Sequence, residues 1–351
     1  MPNLKIRFKS KIRRPFLATR FALRKASVKF LRRIFFRKVN RLLCISLDTE
    51  RIADGTGAQI QRLLSVKLIA SMFNIGYVHR DFKSIQIHPL DPFQDHKSYS
   101  VYLDRLNSTF HFPSLDSNVN DFEIVHIRSL TIWDLLKLQI RTIIFKRKLQ
   151  ITIQDPYPVS EFFVDEFLST GFLFNQNFEN GKLFDLVEEY EVVIHHRQGV
   201  GNMAIYPGQK ISRELDLEYF FEVLESISRD ISNGIKENIR ILILTDAPTE
   251  KISYAPPTDQ LELWSGTPNY SAGVVSIEGN VLEKRFFDHG FRVKVLSGGD
   301  PLEAIFIMSK AKFLITARSS LSYVAGLLNE TGTVFAAPDF WHSSPRDWKK
   351  I

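Results

Sequence analysis

The chain has 351 residues, 44% of them hydrophobic and 29 of them Phe, which suffices for two ordinary domains or one large one and excludes wholesale disorder. Cys44 is the only cysteine, which excludes an internal disulfide and a cysteine-clustered zinc site and suits a reducing compartment. The net charge of +7 conceals a division: residues 1–41 hold fifteen Lys and Arg and no acid, so the other 310 residues carry 31 basic and 39 acidic side chains, a balance of −8. That distribution excludes a nucleic-acid-binding surface spread over the whole fold.

Residues 1–41 read as a basic amphipathic arm in which Phe16, Phe21, Phe30, Leu31, Phe35 and Phe36 are interleaved with cations. Its apolar runs are too short to span a bilayer, and it lacks the apolar stretch and cleavage site of a secretory signal. Four readings are open for it: a segment lying on an anionic membrane surface, a solvated extension, an organelle transit peptide, or a nucleic-acid arm. The first places the protein in the cytoplasm, peripherally on the inner face of a membrane.

From Leu42 the pattern alternates. "LLCISLD" (42–48) is a short apolar strand, "DGTGAQ" (54–59) a glycine turn, and Ile60, Leu63, Leu64, Leu68 and Met72 recur at helical spacing directly after it. "IGYVHR", "FEIVHI" and "LQITI" read as further strands, with "TIWDLLKLQIRTIIFKRK" as a helix before the last. "LFNQNFENGKLFD" (173–185) reads as a linker. The alternation then restarts with strands "EVVIHH", "IRILILTD", "FRVKVL", "KFLITA" and "GTVFAA", separated by helices at 216–232, 278–288, 300–309 and 319–328. The expected architecture is α/β, with two Rossmann-like domains, 42–185 and 186–351, facing a central cleft behind the arm at 1–41.

In open parallel sheets ligands bind beyond the carboxyl ends of the strands. One such end carries His195, His196 and Arg197, and another carries Arg318, Ser319 and Ser320 at the start of a helix. A helix start offers unpaired N–H groups to a phosphate, and a guanidinium offers a planar fork of donors. Taken singly, each feature has a structural explanation: the serines as an N-cap, the arginine as an ion pair, the histidines as core residues. No metal-ligand spacing, no P-loop and no Gly-x-Ser-x-Gly elbow occurs.

The order of three pieces carries a resemblance. "DGTGAQIQRLL" resembles the Gly-x-Gly opening of the fucosyltransferase superfamily, "VVIHHRQG" resembles its His-x-Arg-Arg motif, and "AKFLITARSSLSYVAGLLN" resembles its C-terminal serine segment. The resemblance implies a GT-B fold and a metal-independent, inverting glycosyltransferase that uses GDP-fucose as co-substrate and takes a glycan or glycolipid acceptor. It implies that Arg197 binds the donor β-phosphate with His195 beside it, that Ser319 and Ser320 lie near the diphosphate or ribose, and that Gly55, Gly57 and Gln59 form the loop facing the donor across the cleft. Gln198 and Val200 stand where the family has a second arginine and an acid, so another GDP- or UDP-sugar also fits. Asp54 and His196 are the candidates for a general base taking the acceptor's proton. A non-catalytic sugar-nucleotide or glycan-binding protein on the same frame, or a nucleic-acid-binding protein acting through the arm, are the competing classes.

Overall fold

The computed structural model describes residues 26–36, 40–51, 54–86, 91–114, 121–167, 181–197, 203–212, 215–246 and 279–351, apart from 29, 94, 207, 208 and 233. In chain order the elements are α1 (residues 26–28 and 30–35), β1 (Asn40–Leu47), α2 (Thr56–Met72), β2 (Ile75–Tyr77), α3 (His96–Thr109), β3 (Glu123–Ser129), α4 (Ile132–Phe145) and β4 (Leu149–Asp155). They continue with α5 (Tyr157–Ser160), α6 (Gly181–Glu189), β5 (Val192–His196), β6 (Met203–Tyr206), β7 (Gln209–Ser212), α7 (Leu217–Ser232) and β8 (Ile241–Thr245). Last come α8 (Gly279–Asp288), β9 (Val293–Ser297), α9 (Pro301–Lys310), β10 (Phe313–Ile315), α10 (Ser320–Leu327) and β11 (Thr333–Phe335). The fold is α/β, built on two separate parallel sheets.

The chain divides into two compact units that interleave in sequence. Unit 1 comprises residues 1–48, 65–79 and 113–163, and unit 2 comprises 49–64, 80–112 and 164–351. The division passes through α2, so the glycine turn and the first half of that helix belong to unit 2.

Unit 1 holds a parallel sheet in the order β2-β1-β4-β3. β1 is buried from Leu43 onward because both its neighbours and the flanking helices cover it, which is why it reads as a continuous apolar run. α4 starts at a capping box in which Thr131 and Asp134 satisfy each other's backbone N–H groups, and it ends at Lys146 in a left-handed conformation. The end of the basic segment packs against the rest of unit 1. Phe36 is almost fully buried with its ring edge-on to Phe73, Val28 is buried, and β1 already begins at Asn40. Hydrophobic burial overrides local charge at Val28 and Phe36; residues 1–25, 29 and 37–39 of the sequence-defined arm lie outside the described residues.

Unit 2 holds a five-stranded parallel sheet in the order β11-β10-β5-β8-β9. Numbered by their appearance along the chain, these strands run 5-4-1-2-3, the Rossmann order read from its far edge, with its reversal between β5 and β10. Val192, Ile194, Ile241 and Ile243 point into a core filled by Phe220, Leu224 and Ile227 of α7 and Leu282 and Phe286 of α8. The region read as a linker is helical from Gly181. A two-stranded antiparallel hairpin, β6–β7, follows β5. The sequence reading anticipated neither it nor α3.

Candidate functional site

The reversal of strand order in unit 2 decides where a site can form. β10 pairs with β5 through Phe313↔Val192, Leu314↔Val193 and Ile315↔Ile194. Carried forward, that offset brings Arg318 level with Arg197, each three residues beyond the last pair. Both arginines thus follow the carboxyl ends of adjacent strands at the reversal, the place where open α/β sheets accept ligands, while their side chains engage Asp246 and the Pro338–Asp339 turn respectively.

On the β5 side, all five strand residues are buried. His196 shares a hydrogen bond of 3.1 Å between its Nδ1 and the Thr245 hydroxyl, and its ring lies against Phe220. Burial pushes the pKa values of His195 and His196 down to about 4, so both rings are neutral at pH 7. Arg197 follows the strand, buried, and its Nη1 lies 2.5 Å from Oδ2 of Asp246 at the end of β8. An arriving anion would share this guanidinium with Asp246.

On the β10 side, Arg318 donates from Nε to the carbonyl of Pro338 at 2.8 Å and lies 3.9 Å from Asp339, a residue with positive φ. Ser319 is the N-cap of α10, accepting from the N–H of Leu321, and Ser322 Oγ accepts from Ala317 N–H. The serine pair thus serves as a helix cap in the structure, whatever else it contacts.

The glycine turn lies against this same helix start. A Cβ built on Gly57 would fall 2.4 Å from Leu321 N, 2.6 Å from Leu321 Cα and 2.8 Å from Ser320 C. Only a residue without a side chain lets the first turn of α2 touch the first turn of α10. Two helix N-termini, each with partial positive charge, therefore meet backbone to backbone in unit 2. α3 holds the turn in place: its Tyr102 hydroxyl lies 2.7 Å from the Thr56 hydroxyl, its Arg105 pairs with Asp300, the N-cap of α9, and burial raises the Tyr102 pKa. Gln59 is fully buried one turn into α2, its N–H donating to Gly55 O.

Asp54, a candidate base or loop cap from its place beside the turn, makes the contacts of a loop cap. Its Oδ1 accepts from Gly55 N–H, its Oδ2 pairs with Arg62 at 2.8 Å, and its carbonyl accepts from Gln86. These contacts make the carboxylate a loop-holding group. His196 is likewise directed into the core.

No family model and no curated protein sequence matches the chain. Among solved structures, it is similar to FUT1 from Arabidopsis thaliana in complex with GDP (TM-score 0.39, 12% identity, over 86% of this chain and 71% of that one). It is also similar to POFUT1 in complex with GDP (TM-score 0.44, 8% identity, over 85% and 98%) and to the E. coli heptosyltransferase WaaC with ADP-2-deoxy-2-fluoro heptose (TM-score 0.33, 11% identity, over 88% and 92%). At these scores none of the three assigns a substrate or a residue role to this chain.

Of the residues singled out in the sequence, Gly55, Gly57, Gln59, His195, Arg197, Ser319 and Ser320 all lie in unit 2. Gly57 and Ser320 are in direct backbone contact. The sequence reading gave no role to Asp246 or to Arg105–Asp300. Asp246 was findable: it ends the strand "IRILILTD", the same position relative to β8 that Arg197 holds on β5. Arg105 was not, because its partner lies nearly two hundred residues away.

Proposed function

We propose that the protein is a glycosyltransferase whose nucleotide-sugar donor binds in unit 2, over the crevice between β5 and β10. One observation carries the reading: the two glycine- and serine-bearing helix starts, far apart in sequence, meet at Gly57 and Leu321. Two converging helix N-termini suit a diphosphate, and Arg197 and Arg318 at the neighbouring strand ends are the cations that would reach it by exchanging Asp246 and Asp339 for the ligand. When the glycosidic bond breaks, the departing diphosphate gains negative charge, and fixed cations and dipoles that stabilise it lower the barrier. Arg197 is assigned to that charge, and Arg318 takes the place of the motif's second arginine, where this chain has Gln198. No bound metal is built into this mechanism, and the reaction is read as inverting. The motif order favours GDP-fucose as donor and a glycan or lipid-linked glycan as acceptor, with the basic segment at 1–41 bringing the enzyme to an anionic membrane surface.

A second reading, binding without turnover, is favoured by the 2.5 Å pair of Arg197 with Asp246, which supplies the guanidinium with an internal anion. Calorimetric titration with GDP, UDP and ADP, together with a transfer and donor-hydrolysis assay, separates the two. Under the transferase reading one nucleotide binds, its sugar conjugate turns over, and Arg197→Ala lowers turnover by about 10²–10³. Binding without any turnover selects the second reading. Failure of every nucleotide to bind, or normal turnover by Arg197→Ala, rejects the donor site.

A further inference from the structure

Unit 1 presents an apolar face that its own core does not use. Helix α4 buries Leu135, Leu136, Leu138, Gln139 and Thr142, and on the other side it exposes Trp133 (66%), Ile140, Ile143, Ile144 (64%) and Phe145 (65%). At about 100° per residue, positions 133, 140 and 144 fall within a sector of about 40°, so Trp133, Ile140 and Ile144 form one outward stripe. α1 extends it. The side-chain amide of Gln139 donates to Phe35 O at 3.2 Å, which lays the end of α1 alongside α4, and Phe30, Ile34 and Phe35 are themselves exposed.

The surroundings of this face are basic. Exposed Lys137 stands beside the stripe, and Lys146, Arg147 and Lys148 follow the helix directly. Of these cations Arg147 pairs with Glu123 (as does Arg141) and Lys148 with Asp121, and Asp134 serves the helix cap, so Lys137 and Lys146 carry the net positive charge beside the stripe. An apolar stripe with an indole and a lysine-rich border fits lipid better than protein, because protein interfaces are depleted in lysine while a bilayer boundary favours Trp and long cationic side chains. Among the described residues no helix is long and apolar enough to cross a membrane, so the contact would be peripheral.

We propose that this face of unit 1 is a lipid-docking surface, with Trp133, Ile140 and Ile144 entering the boundary between headgroups and acyl chains of an anionic bilayer. Lys137 and Lys146 supply the electrostatic attraction, and the α4 stripe supplies the apolar anchor that such attraction alone lacks. The inference extends the membrane part of the proposed function and stands whatever reaction unit 2 performs.

Co-sedimentation of the full chain with vesicles of phosphatidylcholine and about one third phosphatidylglycerol tests it. The wild type should bind. A Trp133→Ser, Ile140→Ser, Ile144→Ser variant should bind at least about tenfold more weakly, with an unchanged unfolding midpoint because all three side chains face solvent. Bromine-labelled acyl chains should quench a fluorescence component that is absent in Trp133→Phe. Equal binding by the triple variant, or no Trp133 quenching, would overturn the proposal. So would retention on heparin together with indifference to the vesicles, which would hand the surface to a polyanion instead. Nucleotide binding by the triple variant should match the wild type, so failure here is distinguishable from failure of the donor site.

Discussion

At the end of β5 two consecutive imidazoles are buried on opposite faces of the sheet, one of them hydrogen-bonded to Thr245. Desolvation is the leading cause of their depressed pKa values, only partly offset by the Asp246 carboxylate. The unfolded chain titrates these groups near 6.5 and the folded chain near 4, so between those values the unfolded state binds more protons. Stability conferred by keeping them neutral is complete above pH 6.5 and is lost as pH falls toward 4. The difference between these values corresponds to about 3 kcal/mol for each ring. Urea unfolding at pH 7 and pH 5 should therefore show a loss of several kcal/mol, already developed before ordinary carboxylates begin to protonate. A flat profile over that interval would mean the rings take up protons without disturbing the fold. It would also remove the reason for describing them as core residues that fix the strand end and so aim Arg197.

The contact between α2 and α10 belongs to the scale of whole elements, since neither helix start explains it alone. Replacing Gly57 by Ala has two opposed consequences. Alanine favours the helix by about 1 kcal/mol, but its Cβ would overlap backbone atoms of Ser320 and Leu321, and overpacking costs about 1–3 kcal/mol or more. Backbone cannot rotate aside as a side-chain tip can, so the clash wins: Gly57→Ala should be net destabilising in urea and should weaken nucleotide binding as the helix starts are driven apart. A stabilised Gly57→Ala would show that the helices part freely. The elements themselves were largely legible in the sequence. β1, β4, β5 and β8 announce themselves as continuous apolar runs because they are covered on both faces, and α7 and α9 by periodicity. α3 escaped because its buried contribution is confined to Tyr102 and Leu106, and the hairpin because its four-residue strands carry no strong alternation. The motif residues could be named from the chain. That Gly57 needs to be glycine on account of Leu321 could not, because the reason lies more than 260 residues away.

At the scale of the molecule, the consequence of interleaving is that the residues nominated for the donor fall within one unit. The turn at 54–59, α3, β5 and the Ser319–Ser320 helix start belong to unit 2, although the turn precedes most of unit 1 in sequence. A ligand that prefers the folded form stabilises what it touches by an amount set by its concentration relative to Kd, about 2.7 kcal/mol at a hundredfold excess. If the donor nucleotide is held by these groups, the gain should be local. Hydrogen exchange with saturating nucleotide should slow by up to about a hundredfold at amides of β5, β8, α10 and the first turn of α2, where exchange requires opening of the unit. Amides of β3, β4 and α4, which belong to unit 1, should exchange as before. Equal slowing in both units would mean that they open as one body or that the nucleotide also rests on unit 1. Slowing confined to unit 1 would place the ligand away from Arg197 and remove the physical basis for the transferase reading.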